Sequence, residues 1–118
     1  MATIYSPPVE VGKPPSLDIN DIQGYFKTEA AWVETVKTWA RGQSSDPCVG
    51  EEVRFPVADG YARYVVVSLK PVALIHLPVG DAWQFQYANR LTATDIRREV
   101  ARGKALKSLF DKNGKGLV

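Results

Sequence analysis

A chain of 118 residues, 45% of them hydrophobic and 24% charged, is long enough to bury one core and too apolar for disorder along its whole length. No apolar run approaches the roughly 18 residues that span a bilayer, so we expect no membrane contact. Cys48 is the sole cysteine, which excludes a disulfide within the chain and favours a cytoplasmic location.

Charge is distributed unevenly along the chain, although the net charge is only +2. Residues 1–59 contain five Lys or Arg against nine Asp or Glu, a net charge of −4. Residues 60–89 carry +1, whereas residues 90–118 have eight basic against three acidic residues, or +5. This asymmetry predicts either an anionic partner for the basic end or head-to-tail contact between copies of the chain.

Residues 1–17 form the first segment, in which four prolines disfavour both helix and central strand. They are Pro7, Pro8, Pro14 and Pro15. We therefore expect an extended, proline-rich N-terminal arm, which could lie on its own body or pair with the sheet edge of a partner. Its candidate docking residues are Pro7, Pro8, Val9 and Val11.

Residues 18–111 predict one α+β domain, followed by a short basic, glycine-containing tail at 112–118. The first helix is expected to begin at Thr28, which can cap it, because Trp32, Val36 and Trp39 recur at helical spacing. Gly42 is expected to end this helix in a left-handed conformation.

Strand-like patterns follow the first helix. Residues 53–57 and 61–69 flank a hairpin signal at Asp59-Gly60. Val72–Leu77 is apolar on both faces except at His76, which is typical of a central strand. Residues 82–87 alternate, with Trp83, Phe85 and Tyr87 expected to face the core. Together these segments predict an antiparallel meander of about four strands, flanked by an N-terminal and a C-terminal helix.

The C-terminal helix is predicted over residues 94–110, entered through a capping box of Thr92 and Asp95. Its expected inner stripe consists of Ile96, Val100, Leu106 and Phe110. Gly103 lies within that stripe, where a glycine predicts either a close helix contact or a bend.

The sequence contains no recognisable catalytic or metal-binding motif. One His and one Cys are too few for a structural zinc site, and phosphate-binding and calcium-loop motifs are missing, so we expect no metal or cofactor. Nucleophilic catalysis would need Cys48 beside His76, with Asp81 or Asp46 as orienting group. His76 is instead expected to be a hydrogen-bonded core residue, and Glu51 and Glu52 to be solvated edge charges.

Three hypotheses result, of which the leading one is a non-enzymatic binding or accessory protein that contacts nucleic acid or another anionic partner. Its candidate contacts are Arg90, Arg97, Arg98, Arg102, Lys104 and Lys107. The alternative is an interaction or assembly subunit, binding a protein partner or its own copies through the arm. The third is a small-ligand binder or enzyme with a pocket around His76, Tyr64 and Cys48.

Overall fold

A computed structural model describes the backbone of residues 2–57, 60–77 and 90–117, and the side chains of these ranges except at 56–57 and 110–117. The chain forms a four-stranded sheet with two long helices, which confirms the α+β class. In order, the elements are β1 (Thr3–Tyr5), a 3₁₀ turn (Val9–Val11), α1 (Ile22–Arg41), β2 (Glu52–Val57), β3 (Gly60–Leu69), β4 (Val72–Leu77) and α2 (Ala93–Leu117).

The sheet is mixed, with strand order β1-β4-β3-β2, so the prediction of a purely antiparallel meander is wrong. Strands β2, β3 and β4 do form the expected antiparallel hairpins. The arm supplies β1, which pairs in parallel with β4 and places Tyr5 beside Ile75. Strand β1 is only three residues long, but it pairs with the backbone of a β4 edge that would otherwise be open.

The strand predictions are confirmed to within a residue for β2, β3 and β4. Strand β4 is central, as expected, and all six of its residues are buried. The predicted strand at 82–87 and the turn before it lie outside the residues that the structure describes.

Helix α1 begins six residues earlier than predicted, at Ile22. Its cap is Asp21, whose carboxylate accepts a hydrogen bond from the Gly24 N–H at 3.0 Å. Thr28 instead lies within the helix and donates its hydroxyl to the Gly24 carbonyl. The helix does end before Gly42, but this glycine has φ −77° and is right-handed, so the expected left-handed stop is wrong.

Helix α2 has the predicted capping box: Asp95 accepts from the Thr92 N–H at 2.9 Å, and the Thr92 hydroxyl accepts from the Asp95 N–H at 3.2 Å. Ile96 and Val100 are buried as expected. Leu106, however, is 54% exposed, which contradicts its place in the inner stripe. Among the described residues nothing lies within 4 Å of a Cβ at Gly103, so they supply no close contact that would need a glycine there.

The two faces of the sheet carry different residues. Helix α1 covers the face of Val65 and Ile75, which are almost fully buried. On this face Arg63 donates to Glu29 of α1 at 2.6 Å and to both carboxylate oxygens of Glu52 on β2 at 3.1 and 3.2 Å. Glu52 is therefore an internal partner of Arg63 and not a solvated edge charge.

This arrangement of charges changes the pKa of the Glu52 carboxyl group. Burial acts to raise its pKa, but the hydrogen bonds and positive charges of Arg63 and Arg54 outweigh burial and leave the pKa lowered. The ionised form is therefore the one that the fold favours, and it joins β2, β3 and, through Arg63, α1.

Candidate functional site

An apolar groove lies on the α1 face of the sheet, between the arm, the end of α1 and the adjoining parts of β3 and β4. Its cavity volume is about 560 Å³, within the range of roughly 300–1,000 Å³ that is common for binding pockets. Most of its lining is apolar, with a few polar side chains at the margin. We call it the arm groove, lined by Tyr5, Ser6, Pro8, Trp39, Gln43, Val67, Ser68, Pro71, Ala73 and Ile75.

Three features of the backbone produce the arm groove. The parallel register of β1 with β4 places Tyr5 beside Ile75. A register shift between Val66 and Ser68 of β3 interrupts the regular pairing with β4 next to the groove. Helix α1 supplies Trp39, which is only partly buried. The walls thus come from segments far apart in sequence, which is why local patterns did not predict this site.

A second, shallower depression of about 410 Å³ adjoins the arm groove and shares Trp39 with it. Two carboxylates, Glu10 and Glu34, lie at this depression. Glu34 approaches Lys37 at 3.4 Å, an exposed pair that stabilises little, and the structure gives Glu10 no ion pair with any described residue. Positive charge on a bound partner would therefore be favoured here.

The arm is held by contacts with α1. The Trp32 indole N–H donates to the carbonyl of Gly12 at 3.2 Å, and Val11 is buried against the core. Gly12 has φ +79°, a conformation that other residues rarely adopt. These contacts fix the 3₁₀ turn, and with it the wall of the arm groove.

The four predicted docking residues of the arm have different surroundings. Pro8 lines the arm groove, and Pro7 is half-buried. Val9 is 93% exposed. Val11 packs inside this chain, so its side chain meets the core rather than a partner.

Three of the six predicted cationic contacts, all of them on α2, pair with carboxylates of the same chain. Arg97 lies 3.0 Å from Asp46 and Lys104 lies 3.9 Å from Glu51, so both side chains flank the packed side of the helix instead of lying opposite to it. Arg102 pairs with Glu99 at 3.1 Å. The pKa of Asp46 is lowered, chiefly by the hydrogen bond from the Cys48 N–H and further by Arg97.

The other three predicted contacts, Arg90, Arg98 and Lys107, are exposed and form no ion pair within the described part of the chain. They do not lie together, since Arg90 precedes α2 and Arg98 and Lys107 are more than two turns apart. Arg98 nevertheless lies about one turn before Arg102 on α2, so these two side chains lie on neighbouring positions of the helix surface.

The second half of α2 has a feature that the sequence did not reveal. Every side chain from Ala101 to Leu109 is exposed, including Leu106 and Leu109, one turn apart and each slightly more than half exposed. The same stretch contains Arg102, Lys104 and Lys107 and no acidic residue. We call residues 101–109 the exposed α2 segment.

His76 and Tyr64 lie on the opposite face of the sheet from the arm groove, where their rings pack 5.3 Å apart. Burial lowers the pKa of the His76 imidazole, which favours its neutral form. Cys48 belongs to the loop before β2, whereas His76 is on β4, with β3 between these strands. The arm groove contains none of these three residues, and Asp81 lies outside the described residues.

Aromatic side chains do not form an exposed platform on the described strands, because Tyr64 is buried whereas Tyr61 is 58% exposed. Residues 83, 85 and 87 are not among those described. Over 2–57, 60–77 and 90–117, no group of three or more His, Cys, Asp or Glu side chains is placed to hold a metal ion. In the same ranges, no helix has the length and apolar character needed to cross a membrane.

Comparisons of the chain with protein-family models, with curated proteins and with solved structures gave no match. The arm groove and the exposed α2 segment therefore define the site on geometry alone. The arm groove is a concave apolar surface with carboxylates at one margin. The exposed α2 segment is a convex helical surface with two leucines among basic residues.

Proposed function

We propose that this chain is a protein-interaction module, in which the arm groove binds an amphipathic, basic segment of a protein partner. The observation that carries this proposal is the combination of a 560 Å³ apolar cavity with an adjoining depression that holds Glu10 and Glu34. Apolar grooves commonly take the apolar face of a helix, which places its anchors one turn apart.

The chemistry of the lining supports a peptide-like ligand of this kind. Trp39 and Tyr5 offer aromatic surface, and Tyr5 is 52% exposed, so a ligand would bury area that now faces water. Ser6, Ser68 and Gln43 can supply a few hydrogen bonds. Carboxylates at one end would orient a basic flank and accelerate association.

Contact with nucleic acid is the competing function, and the paired state of Arg97, Arg102 and Lys104 counts against it. Phosphate binding depends on cations that are free to replace counterions. A nucleic-acid function also gives no role to Leu106 and Leu109, which are exposed among the basic residues of α2. We therefore place the binding of a protein partner first.

A defined probe tests the proposal: a fluorescent helical peptide with leucines three and four residues apart and lysines between them. Wild-type chain is expected to bind it and to bind its glutamate counterpart more weakly. Tyr5→Ala and Glu10→Lys are each expected to weaken binding about tenfold, since each removes one part of the site.

Tyr61→Ala is the matched control, because Tyr61 is an exposed tyrosine of similar accessibility outside the groove. It should bind the peptide as wild type does. Equal binding by Tyr5→Ala and wild type would refute the groove as the site. Tight, salt-dependent binding of a DNA or RNA duplex that requires Arg98 and Lys107 would favour nucleic acid instead.

A further inference from the structure

We infer that the partner of the arm groove is a second copy of this chain, which inserts Leu106 and Leu109 of its exposed α2 segment. This inference rests on the proposed function and names the occupant of the groove. It assigns a role to two apolar features that the fold leaves uncovered, one concave and one convex.

Leucine side chains one turn apart match the apolar groove in chemistry and size. Leu106 and Leu109 are 54% and 56% exposed, although Ile96 and Val100 of the same helix are buried in the core. A helical stretch without packing is only marginally stable in water, so burial of its apolar side is a means of stabilising it. The groove offers aromatic and aliphatic walls for two such anchors.

Charge at the two surfaces is complementary. In the exposed α2 segment, Lys107 has no ion-pair partner among the described residues, whereas Arg102 and Lys104 already face Glu99 and Glu51. The depression beside the groove has Glu10 and Glu34. Insertion of the leucines in the groove would therefore bring the basic side chains of the exposed α2 segment towards the carboxylates of the depression. Such a contact would account for the uneven distribution of charge along the chain.

The contact must join two copies rather than parts of one. Every side chain of the exposed α2 segment faces solvent, so none of them occupies the groove of its own chain. Helix α2 contacts β2, at one edge of the sheet, whereas β1 and the arm groove lie towards the other edge. A groove at one side and a helix at the other produce a heterologous, head-to-tail contact, which forms rings or open chains.

Two variants of the full chain separate the halves of this contact. The groove variant, Ser6→Trp with Glu10→Lys, fills the groove and reverses a charge in the adjoining depression, and it leaves the exposed α2 segment unchanged. The helix variant, Leu106→Ser with Leu109→Ser, keeps the groove. Each affected side chain is exposed, so both variants should retain the fold, which circular dichroism checks.

Sedimentation over a roughly hundredfold concentration series measures the contact. Wild type is expected to exceed the 13.0 kDa of one chain increasingly with concentration, and each variant alone is expected to remain a monomer. A mixture of the two variants has one intact groove and one intact helix, so it should form a dimer that does not grow further.

The control variant is Leu17→Ser with Ile19→Ser, two exposed apolar residues outside both surfaces. It should associate as wild type does. Association of the helix variant or of the groove variant at wild-type strength would refute the inference, as would excess mass that ultraviolet absorbance assigns to nucleic acid.

The peptide probe distinguishes failure of this inference from failure of the proposed function. A wild-type chain that stays monomeric at millimolar concentration, yet binds the leucine–lysine peptide, overturns the second copy as occupant and leaves the groove as a protein-binding site. A monomer that does not bind the peptide overturns both.

Discussion

The two long helices use their apolar residues differently. Helix α1 buries Trp32, Val33, Val36 and Ala40 in its second half and contacts β3 and the arm, whereas Ile22 and Phe26 near its start are 49% and 59% exposed. Helix α2 buries Ile96 and Val100 near its start, and its exposed segment then leaves Leu106 and Leu109 in solvent. Both helices begin with an aspartate-based cap, so the difference lies in packing and not in local helix signals. The apolar residues of one helix can therefore differ along its length, since Ile96 and Val100 pack in the core whereas Leu106 and Leu109 are exposed.

The sharpest test of this difference compares two aliphatic residues of α2. Ile96→Ala should lower the free energy of unfolding by about 3 kcal/mol, because it opens a cavity at a fully buried position. Leu109→Ala should change it by less than about 0.5 kcal/mol in dilute solution. Urea denaturation measures both, and a large loss for Leu109→Ala would mean that the exposed segment packs within its own chain.

The ion pairs that join α1 to the sheet form the second test. Arg63→Ala should cost about 2–3 kcal/mol, since it leaves Glu29 and Glu52 without their shared partner in a mostly buried site. Arg102→Ala is the control, because its pair with Glu99 is exposed on α2 and worth little. Similar losses for the two variants would contradict the distinction between packed and exposed regions.

The pH dependence of the free energy of unfolding provides a third test, which concerns only the packed sheet and the residues buried against it. The pKa of His76 is lowered in the folded chain by burial, so the unfolded state takes up its proton first as the pH falls. Stability is therefore complete above the ordinary pKa of about 6.5 and declines below it. Glu52, whose pKa is also lowered, adds a further loss at more acidic pH.

Urea midpoints at about pH 7.5 and about pH 5.5 measure the histidine part. His76→Leu should show a smaller decrease between these values than wild type. A decrease of the same size in both proteins would assign the acid sensitivity to other groups.

The smallest expected effect comes from Gly103. Gly103→Ala should stabilise the chain by about 0.5–1 kcal/mol, because alanine is the better helix former and its Cβ meets no neighbour within 4 Å. Gly50→Ala is the opposite case: Gly50 has φ +86° and a Cβ there would collide with the Arg41 side chain, so stability should fall. Thermal unfolding distinguishes the two signs.

Local signals predicted much of the fold because they are physically local. The Asp-Gly hairpin signal, the mostly apolar run of β4 and the Thr92–Asp95 capping box each depend on neighbours in sequence. The structure contains strands β2, β3 and β4 and the capping box. The start of α1 was missed because Gly24 lies in its first turn. That glycine lies directly beneath the capping carboxylate of Asp21, where a Cβ would collide with it.

Long-range features were not predictable in the same way. Strand β1 is only three residues long and depends on an open edge of β4, far along the chain. The arm groove combines Tyr5, Trp39 and Ile75, which no spacing rule connects. Leu106 fitted the helical period of the predicted inner stripe, and periodicity alone does not distinguish a buried position from an exposed one.

The pairing of Thr3 with Ala73 and of Tyr5 with Ile75 also bears on the order of folding. Strand β1 has no strand to join until β4 is in place, and β4 lies far along the chain, so the β2–β4 hairpins can assemble first from their local contacts. Addition of β1 then completes the wall of the arm groove, which makes this groove one of the last features of the described fold to form.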